Sequence, residues 1–255
     1  MSNTGAAIAV AQRDVTKFLQ DKPRIIGSFI LPFLIVLILG NSFKSADFGF
    51  DYLTFVMTGV LAQTLFQSSA LGLVSLLDDR DNDFSQELFV APVSRYAIVV
   101  GKIGGEALVA YVQGVGIFAM GIAIGARVPL SRLPAVLVVA AMACLLGGAF
   151  GLFILSTVKT RRFADQLFGF VFLPQFFLAG VFSPTGNFPD FLQVLSRIAP
   201  MRYAVDMIRS VAYTGPGKAK VVEDPLVLSL TVVAVMFVGF VAAGTALFVR
   251  NERNR

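Results

Sequence analysis

The chain has 255 residues, 56% of them hydrophobic and only 15% charged, with a formal net charge of +5. An average soluble domain carries about 25% charged residues, so this composition excludes an ordinary soluble enzyme and equally a disordered tail or collagen-like rod. There is no histidine and a single cysteine, Cys144, which rules out imidazole triads, histidine metal centres and an internal disulfide.

In chain order, the first stretch is residues 6–22. Ile8, Ala11, Val15, Phe18 and Leu19 recur at helical spacing, with Arg13, Asp14, Lys17 and Asp21 on the other face. That pattern predicts an amphipathic helix lying on the membrane surface. The apolar run from Gly5 to Ala11 is too short for a signal peptide and charge follows it.

Long uncharged windows come next. A spanning helix needs about 20 mostly apolar residues, and one charged residue at mid-membrane costs about 2.5–3.5 kcal/mol. The predicted spans cover about 25–43, 52–77, 103–126, 133–158, 166–183 and 226–249. Backbone groups in lipid must be satisfied within the segment, so each is expected to be helical, and none alternates as barrel strands do. The fold class is therefore an all-α membrane protein with six transmembrane helices, an N-terminal interfacial helix, and short re-entrant helices between spans five and six. The whole chain, 1–255, reads as one membrane domain.

Six spans put both termini on one side. Arg13, Lys17, Lys22 and Arg24 precede the first span, and Arg250, Arg253 and Arg255 follow the last. Arg80, Arg95 and Lys102 lie between spans two and three, and Lys159, Arg161 and Arg162 between four and five. The opposite loops hold Lys44, Arg127 and Arg132, and also Arg197, Arg202, Arg209, Lys218 and Lys220, which weaken the bias. The balance still places both termini in the cytoplasm of a multi-pass cell-membrane protein. The basic charge thus needs no nucleic acid.

Chemistry-bearing motifs are few. No GxxxxGK[ST] loop exists; Gly101-Lys102-Ile103 lacks both the upstream glycine and the hydroxyl residue of a phosphate cradle. No cofactor or metal is expected on the chain. Glu106, at the end of span three, reads as a helix-end carboxylate that reaches the interface or pairs with Lys102, against a proton-relay role.

Two stretches outside the regular spans stand out. The connection 78–100 opens with Asp78, Asp79, Arg80, Asp81 and Asp83, continues through Phe84, Glu87, Leu88 and Phe89, and reaches Pro92, Ser94 and Arg95. Acids at the start of a short amphipathic run suit a helix N-terminus, and Pro92 ends or kinks it. Such an element suits docking on a soluble partner; a solvated loop is the alternative. The second stretch runs from Pro174, through Phe176, Phe177, Gly180 and Pro184, to a region over 184–214 that contains Pro200, Tyr203, Asp206 and Arg209. Pro174 and Gly180 are expected to interrupt the fifth helix. Segments near 188–196 and 200–211 read as short helices at, or dipping into, the outer interface. Asp206 and Arg209 are spaced to pair on one helix face. Phe66, Phe172, Phe176 and Phe177 are candidates to line or gate a pathway, against simple packing.

Together these stretches resemble the type-two ABC-transporter permeases, in particular the daunorubicin-export-like branch, over essentially the whole chain. The family's loop reads like D-R-E-x-G-F-L-x-E-x-L-V-A-P-V-S-R, followed by G-K. Asp79, Arg80, Asp81, Phe84, Glu87, Val90, Ala91, Pro92, Val93, Ser94, Arg95, Gly101 and Lys102 fit it. Asp83 stands in place of the glycine and Ser85 in place of the leucine. The later stretch is similar to L-P-x-F-F-L-S-G-x-F-x-P and N-P-x-x-Y-x-V-D-x-x-R, with Ala179 and Ala199 as departures.

The resemblance implies a permease subunit of an ATP-driven exporter for a drug-like, lipid or glycolipid substrate. Two permease copies, identical or paralogous, would work with two separate ATPase subunits that bind ATP and Mg. Asp79, Arg80, Asp81, Phe84, Glu87, Leu88, Pro92 and Arg95 would form the element coupled to the ATPase. Pro174, Phe177, Gly180, Pro184, Pro200, Tyr203, Asp206 and Arg209 would close the outer mouth. Polysaccharide export and an ATP-independent secondary transporter are the alternatives; sparse intramembrane charge counts against the second.

Overall fold

A computed structural model describes residues 3–43, 48–77, 95–158, 160–215 and 217–253, and among them there is no strand. The helices are α1 (Asn3–Gln20), α2 (Lys22–Ser42), α3 (Tyr52–Gly72), α4 (Arg95–Ile124), α5 (Leu133–Ser156), α6 (Arg161–Leu178), α7 (Asp190–Ile198), α8 (Pro200–Ala212), α9 (Lys218–Val221) and α10 (Leu226–Arg253). Short 3₁₀ turns sit at Leu130–Arg132 and Thr185–Asn187.

Among the described residues, five stretches are long and apolar enough to cross a membrane: Lys22–Ser42, Tyr52–Leu77, Val99–Ile124, Leu130–Ser156 and Lys218–Leu247. The predicted fifth span, 166–183, falls in α6, which differs from them. Its 18 residues begin with Arg161, Arg162 and Asp165, and at about 1.5 Å per residue they reach only about 27 Å. Pro174 does not interrupt this helix as expected; α6 runs through it to Leu178. Neighbouring helices satisfy backbone groups that proline frees, so proline is tolerated in such settings. The other expected break, at Gly180, is present as a turn with φ +70°, a conformation open to glycine because it lacks Cβ.

α3 is the central helix, buried over most of its length. α4, α5 and α8 pack around it, and Phe66 of α3 meets Phe150 of α5 and Phe172 of α6 at 5.4 and 6.1 Å between ring centres. Phe66 and Phe172 are thus packed in the core of the bundle. α2 and α10 are peripheral, with Ile26, Ile30, Ile38, Val227, Val235 and Val238 exposed. In a bilayer such faces meet lipid or another helix at little cost, whereas in water they would be unprotected.

α1 and α2 are separated at Asp21, whose carboxylate caps α2 by accepting the Arg24 backbone N–H at 3.0 Å. The face α1 turns inward is not the predicted one. Ala6, Val10, Asp14 and Phe18 are buried, whereas Ile8 and Leu19 are exposed. Asp14, placed on the polar side by its periodicity, is drawn inside by a partner far along the chain.

Candidate functional site

Polar side chains gather at both ends of this apolar bundle. At the α1 end, α4 carries Gly101 and Gly105 one turn apart against α1. A Cβ on Gly101 would lie 2.6 Å from the Ala7 carbonyl oxygen, and one on Gly105 would lie 2.9 Å from the Ala11 Cα. Glycine here lets two backbones touch. The close approach brings Lys102, 1% exposed at its side chain, within 2.7 Å of the Asp14 carboxylate and 3.2 Å of Glu106. Lys102 thus bridges a carboxylate on each of two helices. The Glu106 carboxylate also accepts a 3.4 Å hydrogen bond from the Ser75 hydroxyl and lies 3.8 Å from the Arg24 guanidinium. Charges this deeply buried are tolerable because each is opposed. The Lys102–Glu106 pairing was legible from the four-residue spacing; Asp14 was not, because nothing local marks a partner 88 positions away.

The predicted docking residues Asp79, Arg80, Asp81, Phe84, Glu87, Leu88 and Pro92 lie outside the described residues. Arg95 opens α4, so the end of the 78–100 stretch is already helix rather than loop. Lys102 sits two turns into that helix.

At the opposite end, α8 occupies an unexpected place. All of its residues from Pro200 to Ala212 are buried, and it is inserted among α3, α5 and α10. Pro200 starts it, where a missing N–H costs nothing, and the Gln175 side chain of α6 accepts the first-turn Met201 N–H at 3.4 Å. Arg209 is the largest fully buried side chain. Its guanidinium stacks on the Phe55 ring at 3.7 Å and donates to the Val181 and Phe55 carbonyls at 3.3 and 3.4 Å. Val181 belongs to the turn that Gly180 opens, so Arg209 ties that turn to α3.

Asp206 makes its ion pair with Arg202, at 3.8 Å, rather than with Arg209. Arg202 in turn donates to Ser196 and Asp224 at 2.6 and 3.0 Å. Burial pushes the Asp206 carboxyl up to about 7, with Arg209 and Arg202 pulling the other way. Tyr203 donates to the Arg197 carbonyl at 2.8 Å, which fixes α8 to α7. Tyr213 reaches the Asp51 carbonyl at 2.8 Å, and Tyr52 the Phe182 carbonyl at 3.2 Å, so both ends of the inserted region are fastened to the start of α3.

Gly180, Tyr203, Asp206 and Arg209 are therefore brought into one buried cluster, with Pro200 starting the same helix and Pro184 leading into the adjoining 3₁₀ turn. Pro174 lies inside α6, and Phe177 is apart, 60% exposed, with its ring edge toward Phe182 at 6.3 Å. Phe176 stacks on the same Phe182 ring at 6.2 Å. Arg202, Gln175 and Tyr213 were not anticipated; Asp224, Met201 and Asp51, their partners here, lie 22 or more positions away.

A helical bundle of membrane-spanning apolar segments, with an interlocked helix at one end and an inserted polar helix at the other, defines a multi-pass membrane protein. Its sequence matches the ABC-2 type transporter family over residues 6–213, and the chain belongs to that family. It is 25% identical over 202 residues to a putative transport permease, ycf38, of Cyanophora paradoxa, covering 75% of this chain and 70% of that one. It is 28% identical over 202 residues to the inner membrane transport permease YadH of Escherichia coli strain K12, covering 75% and 73%. It is 30% identical over 168 residues to the probable multidrug ABC transporter permease YbhR of the same organism, covering 63% of this chain and 44% of YbhR. The chain is thus the membrane subunit of an ABC transporter, a transport component rather than a catalytic one.

Proposed function

We propose that two such permeases, identical or paralogous, form an export pathway for an apolar or amphipathic small molecule or lipid, of the daunorubicin-export-like branch. Two separate ATPase subunits, binding ATP and Mg, drive it from the cytoplasmic face. The chain itself hydrolyses nothing. α6, with the turn at Gly180, completes a sixth, re-entrant crossing. Lys17 closes α1, while Lys22 and Arg24 open α2 and Arg161 and Arg162 open α6, and the preference for positive residues inside supports a cytoplasmic α1 end and cytoplasmic termini.

The observation that carries this reading is the lock between α1 and α4. The segment 78–94 leads directly into α4, and two turns later Lys102 binds Asp14 and Glu106. A displacement of that segment by ATPase closure would pass to α4 and α1 together, as a coupling element requires. At the other end the Arg209 cluster holds the turn at 179–182 closed against α3, the position of an outer gate.

The docking role is tested by charge reversal. Glu87→Lys and Arg80→Glu are each expected to cut co-purification of the ATPase subunit by about tenfold, since losing a docking charge pair costs on the order of 1.4 kcal/mol or more. Insertion in the membrane stays as in wild type. Undiminished capture of the ATPase by both variants would remove the docking assignment.

A further inference from the structure

The Glu106 carboxylate is satisfied on one side only. Its Oε1 atom lies 3.2 Å from the Lys102 ammonium and accepts from the Ser75 hydroxyl at 3.4 Å. Its Oε2 atom is buried with no hydrogen-bond partner. That oxygen occupies a notch in α3, where a Cβ on Gly72 would collide with it. A buried carboxylate oxygen left in this condition is costly. The Arg24 guanidinium, in the first turn of α2, stops 3.8 Å from it. A charge-assisted hydrogen bond spans about 2.7–2.9 Å, so an approach of about 1 Å completes the pair. α2 has the means to make that approach. Its buried residues, Val36 and Gly40, belong to its second half, where a Cβ on Gly40 would strike the Leu53 side chain of α3. Beside its first half lies an open cleft of about 280 Å3, lined by Arg24, Leu31 and Pro32 of α2 and by Gln67 and Leu71 of α3. Pro32 stands between the two halves. It lacks the N–H that would bond the Ser28 carbonyl, which makes it the natural pivot of the helix.

We propose that Glu106 is a positioning residue of the transport cycle: Arg24 seats on its unpaired oxygen when the first half of α2 swings about Pro32 into the cleft. The move closes the cleft. It also joins α2 to a node that already holds both roots of the 78–94 segment, Ser75 before it and Lys102 after it, and α1 through Asp14. A shift of that segment therefore changes the seat offered to Arg24, and the seat in turn favours one position of α2. The link to transport rests on the reading of 78–94 as the ATPase dock. The swing itself needs no nucleotide, because the pairing rewards it in the chain alone.

The test is cross-linking over the cleft in the full chain, in phosphatidylcholine nanodiscs, with Leu31→Cys on α2 and Leu71→Cys on α3 in a Cys144→Ala background. A disulfide forms only when the two Cα atoms come within about 7 Å, so the rate of copper-phenanthroline oxidation reads the closed position of α2. Arg24→Gln is expected to slow cross-linking about tenfold, as the loss of one charge-assisted hydrogen bond would give. Arg24→Lys, which keeps the charge, cross-links at nearly the parent rate. Arg24 is partly exposed, so both variants keep the parent thermal midpoint, which is measured alongside. In the complex with the co-eluting ATPase, trapping with ATP and vanadate changes the parent rate and leaves that of Arg24→Gln unmoved. A parent pair that never cross-links, an undiminished rate in Arg24→Gln, or equal slowing in Arg24→Lys would overturn the proposal. A rate indifferent to trapping in the complex would overturn its link to the 78–94 segment. Failure of any ATPase to co-purify would sink the exporter reading instead, and the rates in the chain alone would still decide the swing.

Discussion

Lys102→Met is expected to be the most damaging single substitution at the α1 end, with a loss of about 3–5 kcal/mol of stability, the range measured when one member of a buried ion pair is removed. The methionine fills similar space, so packing is not the cause. What is left is two carboxylates, Asp14 and Glu106, that were held at 2.7 and 3.2 Å from one ammonium. Arg24, at 3.8 Å from Glu106 and partly exposed, replaces little of that attraction. The α1–α4 contact then opens, because Asp14 keeps only its sequence neighbour Arg13, at 3.2 Å on its own helix, and nothing on α4 holds it inside. Combining Lys102→Met with Asp14→Leu and Glu106→Gln should restore most of the loss, since an apolar cluster of similar volume is often as stable as a buried ion triad. Thermal unfolding of the purified single and triple variants measures both. A single variant within about one degree of wild type would mean the lock carries no energy.

The second large effect is expected at Arg209. Its guanidinium is fully buried, stacked on Phe55, and bonded to carbonyls of two separate segments. Arg209→Leu removes the stack and leaves the Val181 carbonyl without this donor. It also deprives Asp206 of one of the two guanidiniums that favour its ionised form. A loss of about 3 kcal/mol or more follows from these terms together. Arg209→Lys should recover only part of it, because an ammonium lacks the planar fork that reaches two acceptors while stacking. A double-mutant cycle with Phe55→Leu isolates the stack at about 2 kcal/mol, the value of a desolvated cation–π contact. A coupling near zero would show that Arg209 acts through the carbonyls alone.

The apolar frame was readable in the sequence because the membrane imposes a length and a charge rule that local windows satisfy. The helices over 22–42, 52–72, 133–156 and 226–253 follow from this directly. The short helices near 188–196 and 200–211 were legible from their periodicity, but not the burial of the second. Arg202, Asp206 and Arg209 on one side of α8 look like a water-facing stripe, and only the tertiary contacts reveal that Ser196 and Asp224 take up Arg202 and the Phe55 ring takes up Arg209. Asp14 misled for the same reason: periodicity reports which face is polar, not whether the polar face meets water or a buried lysine. Of the two residues expected to break the fifth helix, Pro174 is carried within α6 and the break falls at Gly180.

The direct test of a passive membrane subunit is nucleotide turnover by the full chain, alone and together with the ABC ATPase subunit that co-elutes with it from native membranes. The permease assignment predicts no hydrolysis by the chain alone, turnover in the complex, and a change in that turnover when the chain carries Glu87→Lys. ATP hydrolysis by the isolated chain, or the absence of any ABC ATPase from the purified assembly, would contradict it.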